Sequence, residues 1–416
     1  MKKIMIIVLL VFIVFLATGF EGIIRGRTEI ENLYSITLCG FDKNDDEIEE
    51  FRITTVSPTT EEDAEKLINV MTSVGETIFE VNRKIGLYAE KDIFWGHNKY
   101  ILIGEDAAKE DVFKYLDFSM RDQELRLTAM PIVIKGLSAQ EFILYLYEQN
   151  VDIPSNIDNM IENLVLMSYS SVHDLVDFIN MSYENKDGYL PYLELQLETQ
   201  ELIIEQGSEE IIEGKFEDFN EKIVELPTKE QLALGDVIAH ISGYAIFKDG
   251  KVIEYIKEDT ARGLNWIINE IVSGVIIVEE KEAKFNLEII EGKSEIIPKI
   301  EGDTLSVELK VYVSTNISEI NGMDVKIDAE MLNALEEKQR VQVLNEVQEV
   351  IKIAQENEID ILGIGNKVYH KYPVKWEDYK DDWDDIFSEL DIKVTVTSQI
   401  ERSYKFTESI FFKEVE

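Results

Sequence analysis

The chain has 416 residues, 45% of them hydrophobic and 30% charged, and 83 acidic against 41 basic side chains give a formal net charge of −42. Enough apolar surface exists to offset chain entropy, which excludes wholesale disorder, and the length suits two to four domains. The charge repels nucleic acids and anionic head groups, and a single cysteine, Cys39, excludes a disulfide framework or a thiolate metal site.

The amino terminus begins Met1-Lys2-Lys3, and residues 4–20 then carry no charge. The basic start and apolar run suit an export signal, and Ala17-Thr18-Gly19 fits a small-x-small cleavage site. Retained, the same run would span a bilayer at the short limit of length, with the lysines inside and the rest of the chain outside. Residues 33–41 and 51–56 read as two strands around a turn-rich acidic stretch from Asp42 to Asp46. An EF-hand reading of that stretch fails, because Glu47 replaces the turn glycine and Ile53 stands where the bidentate glutamate belongs. Residues 60–85 carry Ala64, Leu67, Ile68, Met71 and Val74 at helical spacing and predict a helix. Then come a strand at 100–103, a helix at 106–120, a strand at 129–134 and a helix at 138–149. Residues 191–207 read as extended, and a glutamate-rich stretch over 209–222 suggests a boundary near 200–230.

Strands at 241–247 and 251–256 flank Asp249-Gly250, the strongest hairpin signal in the chain, since this pair accepts the positive φ angles of a type I′ turn. Further strands are expected at 274–279, 283–290 and 304–315, the last alternating Leu305, Val307, Leu309, Val311 and Val313. A long helix follows at 328–357, with an apolar stripe at Leu344, Val347, Ile351 and Ala354. Gly363 and Gly365 read as a glycine-rich helix exit, and Trp376, Tyr379, Trp383 and Phe387 recur at helical spacing. A strand at 391–400 closes the pattern. The fold class is α+β: a multi-domain mixed α/β ectodomain of several small sheets packed by helices, after an N-terminal hydrophobic helix. The expected division is 1–20 as signal or anchor, 21–200 as an N-terminal α/β domain, 201–275 as a middle domain with the hairpin, and 276–416 as a C-terminal α+β domain.

No pattern for catalysis emerges. The four histidines, His97, His173, His240 and His370, sit in no Cys/His, Ser/His/Asp or HExxH arrangement, so neither an enzyme nor a cofactor or metal is expected. His97 and His240, each just before a strand, read as buried histidines bonded to backbone. The mixed signs of Arg121, Asp122, Glu124 and Arg126 read as a local salt-bridge cluster. Acid/base work by Asp117, Asp122 and Glu124 is the weaker reading.

Four stretches carry a resemblance. They are Arg27-Thr-Glu29-Ile30 with Gly40-Phe-Asp42-Lys43; Gly96-His97-Asn-Lys99 with Gly104-Glu105, Leu116-Asp117-Phe118, Arg121-Asp122 and Lys135-Gly136; Gly243-Tyr-Ala245-Ile-Phe247-Lys248 with Thr260-Ala-Arg262-Gly263-Leu-Asn-Trp266; and Asp360-Ile-Leu-Gly363-Ile-Gly365 with Pro373, Trp376 and Trp383. Together and in this order they resemble the spore-germination Ger(x)C family, the C subunits of nutrient germinant receptors. The resemblance implies a non-enzymatic, mixed α/β ectodomain of three domains on the outer face of the spore inner membrane. It also implies assembly with an integral-membrane A subunit and a transporter-like B subunit. The matched Gly96, His97, Arg121, Asp122, Gly243, Arg262, Gly263, Trp266, Gly363, Gly365, Trp376 and Trp383 are then structural or partner-contact residues, with no catalytic role. Family members usually carry a lipidated cysteine shortly before the Arg-x-Glu-Ile stretch. Here residues 21–26 hold none, so residues 4–20 are expected to stay as the anchor.

Overall fold

A computed structural model describes residues 32–46, 48–59, 65–164, 166–182, 187–197, 237–302, 304–322 and 327–403. The expected N-terminal signal or anchor and the glutamate-rich stretch lie outside the described residues.

The first unit is an eight-stranded mixed sheet between two layers of helices. Its middle is parallel: β2 (Leu38–Lys43), β6 (Tyr100–Ile103), β7 (Met130–Ile134) and β8 (Gly188–Leu197) run together. On one side β3 (Phe51–Pro58) and β4 (Ile68–Gly75) add antiparallel, and on the other β9 (Val237–Lys248) and β10 (Lys251–Lys257) do the same. A strand buried on both faces is apolar throughout, as Tyr100-Ile-Leu-Ile103 is. Ile101 and Ile103 face α1 (Ile78–Tyr88), α2 (Glu105–Arg121) and α5 (Leu175–Ser182), while Tyr100 and Leu102 face α3 (Ala139–Glu148) and α4 (Ile153–Leu164). A short parallel pair, β1 (Leu33–Ser35) with β5 (Asp92–Phe94), sits beside this sheet. The expected single strand over 33–41 is thus broken at Ile36–Thr37, because its two halves serve different sheets.

The expected helix over 60–85 is a correction. Its described part is strand β4 followed by α1, and Thr77 marks the change by capping the helix through its side chain. β4 sends Ile68 and Val70 to one helical layer and Met71 to the other, so its apolar residues do not alternate with polar ones and mimic helical spacing.

The separate middle domain expected over 201–275 is also corrected. Asp249 and Gly250 take φ of 52° and 80°, so the type I′ hairpin forms. It does not stand alone: β9 pairs with β8 from Gly188↔Phe247 to Leu197↔Val237 and extends the first sheet. The hairpin tip docks into a break in α2, where Asp111 leaves helical geometry and Val112 N–H donates to the Gly250 carbonyl at 2.7 Å.

The second unit is a four-stranded sheet, β11 (Val275–Glu280), β12 (Ala283–Glu301), β13 (Thr304–Asn321) and β14 (Asp391–Ser403), antiparallel except for the β13–β14 pair. Two helices pack on it, α6 (Glu258–Ile268) and α7 (Ala329–Glu356), the second capped by Asp328. Beyond α7 come α8 (Ile364–Lys371), α9 (Pro373–Tyr379), a 3₁₀ turn over 380–382 and α10 (Trp383–Ser388). The aromatic stripe expected on one helix is therefore split between two helices, on either side of the turn. Trp376, Trp383 and Phe387 still reach one core. That core also takes Tyr189, Tyr244, Ile246 and Ile256 from the first sheet, so the two units are packed together.

Candidate functional site

Three constructions bear on function, each built around residues singled out in the sequence. The first joins α6 to α7. Arg262 is only 1% exposed, yet carries a guanidinium. It donates to Glu346 through Nε at 3.0 Å and Nη2 at 2.5 Å, to Asp259 at 2.8 Å and to the Val275 carbonyl at 3.3 Å. The Trp266 indole N–H donates to the same Glu346 carboxylate at 2.9 Å. Burial opposes the charge on Arg262, but Glu346 and Asp259 outweigh it and hold the guanidinium above its ordinary range. Gly263 makes the approach possible, since a Cβ there would lie 2.2 Å from the Glu346 carbonyl oxygen.

The second is a cleft of about 410 Å³ where the two units meet. One wall is Asp187, Gly188 and Tyr189 at the start of β8; the other runs from Asp360 to Asn366. Asp360 shapes that wall. Its carboxylate accepts from Ile364 N–H at 2.9 Å, Gly365 N–H at 2.5 Å and the Trp383 indole at 3.1 Å. Desolvation still wins over these donors and pushes the carboxyl up to about 6. Gly363, at φ 72°, is the N-cap of α8. The expected helix exit is thus a helix entry: α7 has already ended at Glu356, and the left-handed glycine starts the next helix. Trp376 and Trp383 lie 5.0 Å apart, and both indoles press on Gly365, where a Cβ would come within 2.9 Å of each.

The third lies at the carboxyl ends of the parallel strands. Asp42 reaches across to accept from the first two amides of α3, Ala139 at 2.7 Å and Gln140 at 2.9 Å. Desolvation pushes its carboxyl up to about 6. Nearby Lys135 lies 3.2 Å from buried Glu194, which also accepts from Ser242 at 2.7 Å and sits 3.5 Å from His240. Desolvation opposes that charge, but His240, Ser242 and Lys135 outweigh it and hold Glu194 down at about 2. His240 is therefore half-buried beside a carboxylate.

Two family models match in tandem: "Spore germination protein N-terminal domain" over residues 26–195 and "Spore germination B3/GerAC like, C-terminal" over 242–404, the second beginning inside β9. The chain belongs to the spore-germination Ger(x)C family. Among its relatives in Bacillus subtilis (strain 168), spore germination protein KC is 24% identical over 81% of this chain and 79% of its own. Spore germination protein B3 is 24% identical over 80% of each. A solved structure titled as that of the GerBC protein has the same fold, with TM-score 0.53 and 18% identity over 87% of this chain and 96% of its own.

The remaining Ger(x)C-like residues are scattered rather than convergent. Arg121 pairs with Asp117 at 2.8 Å and holds that carboxyl below its usual range, while Asp122 accepts its neighbour Glu124's amide at 2.9 Å. The expected cluster is thus one helix pair plus one turn. His97, expected to be buried on backbone, is exposed and bonded to the Ser35 hydroxyl at 2.7 Å; Gly96 lies under the Phe94 ring. Gly243 lets β9 lie close against its neighbour β10, since a Cβ would meet the Ile256 carbonyl at 2.1 Å. Cys39 is buried as expected, and desolvation pushes its thiol up to about 12. Sequence reasoning missed Glu346, Glu194 and Asp187. Glu346 had a signal: it sits in line with buried Val343 and Val350, a charge inside an apolar stripe.

Proposed function

We propose that the chain is a membrane-tethered, non-enzymatic subunit of a spore nutrient germinant receptor, held on the outer face of the spore inner membrane by residues 4–20 and working by assembly with integral-membrane A and B subunits. The observation that carries this reading is the use the family's recurrent residues are put to. Gly243, Gly263 and Gly365 are sites of close approach; Arg262, Trp266 and Asp360 are buried anchors between helices. Such a molecule is built to present a rigid surface to partners.

The test is genetic and biochemical. Deleting the gene abolishes germination on a nutrient, and the full chain co-purifies with multi-spanning membrane proteins encoded beside it. Unchanged nutrient germination, with no paralogue compensating, overturns the receptor reading. Mass spectrometry of the mature chain decides the tether: a terminus at Phe20, after the Ala17-Thr18-Gly19 cleavage site, would make it a released surface module instead.

A further inference from the structure

The cleft between the two units has a chemistry that receptor assembly does not use. Its aromatic side is unusually rich: Trp376 and Trp383 at 5.0 Å, with Tyr369 set edge-on to Trp376 at 6.5 Å. Its polar side is acidic. Asp187 is half-buried in the opposite wall, and one of its oxygens accepts the Asp249 amide at 3.0 Å. Asp249 and Asp384 stand close enough to add to its negative field. Desolvation first, joined by the charges of Asp384 and Asp249, outweighs the bond from the Asp249 amide and the charge of Lys248 and pushes the Asp187 carboxyl up to about 6. Among the described residues, the lysines beside the cleft bond to other partners as well. Lys248 donates to the Asn357 carbonyl at 2.8 Å and to Glu358 at 3.1 Å, and Lys380 pairs with Glu377 at 2.7 Å. A space of about 410 Å³ falls in the range of small-molecule sites and admits a ligand of modest size.

Aromatic faces attract cations through the ring quadrupole, and a carboxylate adds a direct ion pair; together they select an ammonium group over its neutral isostere. We propose that this cleft binds a small organic ammonium cation, with Trp376 and Trp383 as its aromatic wall and Asp187 as its counter-ion. The proposal rests on the cleft alone and stands whether or not the chain assembles into a receptor. Because one wall comes from each unit, an occupant would touch both at once.

The test uses the purified full chain and tryptophan fluorescence. Choline is the probe, and 3,3-dimethylbutan-1-ol, which replaces its ammonium by a carbon centre, is the control. Choline is expected to change the emission saturably, with the neutral alcohol at least ten-fold weaker. Asp187→Asn keeps an acceptor for the Asp249 amide while removing the charge, so it is the variant most apt to fold, as its melting curve would verify. It should weaken choline at least ten-fold, and Trp376→Leu should do the same. No saturable response to choline, equal binding of the alcohol, or an unchanged affinity in folded Asp187→Asn would each overturn the proposal. Co-purification with membrane partners is a separate readout, so failure of one leaves the other standing.

Discussion

Arg262 and Glu346 form an ion pair that water barely reaches, with side-chain exposures of 1% and 4%. Removing one member leaves the other charged and buried, which typically costs roughly 3–5 kcal/mol. Arg262→Met is therefore expected to lower the unfolding free energy by about that amount in urea titration. Arg262→Met combined with Glu346→Met should recover most of it, because two apolar side chains of similar volume leave no orphan charge. If the double variant is as unstable as the single, the pair is not what binds these helices. Gly263→Ala is expected to cost roughly 1–3 kcal/mol by forcing α6 away from the Glu346 backbone, read by the same titration. The residue scale was partly legible in the sequence. Gly263 and Trp266 stood in a recognisable motif, but their shared partner lies 80 residues from Trp266 and no local pattern points there.

Elements were legible where one physical signal dominated. The Asp249-Gly250 turn, the apolar stripe of α7 and the alternation in β13 all behave as their residues dictate. Reading failed where tertiary packing overrode period, as in β4, and where a helix was cut by its surroundings, as at α9 and α10. Two buried carboxylates, Asp42 and Asp360, hold helix starts, and this gives the elements a pH response. Both carboxyls sit at about 6 in the folded chain against an unfolded value near 4, so the folded state holds its protons more tightly. Stability is then greatest below the unfolded value and falls as pH rises through about 4 to 6, by roughly 3 kcal/mol for a two-unit shift. Glu194 works the other way: held at about 2, it contributes stability above its unfolded value that is lost as pH falls toward 2. The urea midpoint is expected to be higher at pH 5 than at pH 7.5, and to drop again in strong acid. A flat profile between pH 5 and 7.5 would show that the two aspartates relax instead of staying buried.

At the scale of the whole molecule, the class was legible and the partition was not. An α+β chain with a large N-terminal half followed from the order of strand and helix signals. The acidic stretch after residue 200 looked like a border, because composition changes there. Yet the strands on either side of it are hydrogen-bonded neighbours, and the pairing of Leu197 with Val237 brings both ends of the stretch to one point on a sheet. Antiparallel neighbours can be joined by a two-residue turn. Replacing residues 198–236 by Asn-Gly should therefore keep one cooperative transition and raise the unfolding free energy by up to roughly 2–3 kcal/mol, at about 0.6 kcal/mol for each of the four or so halvings of loop length. A loss of cooperative unfolding would show that the stretch belongs to the core. If the shortened chain folds, that single crossing becomes a port. A reporter protein spliced between Leu197 and Val237 could ride on the chain while the fold beneath it closes as before.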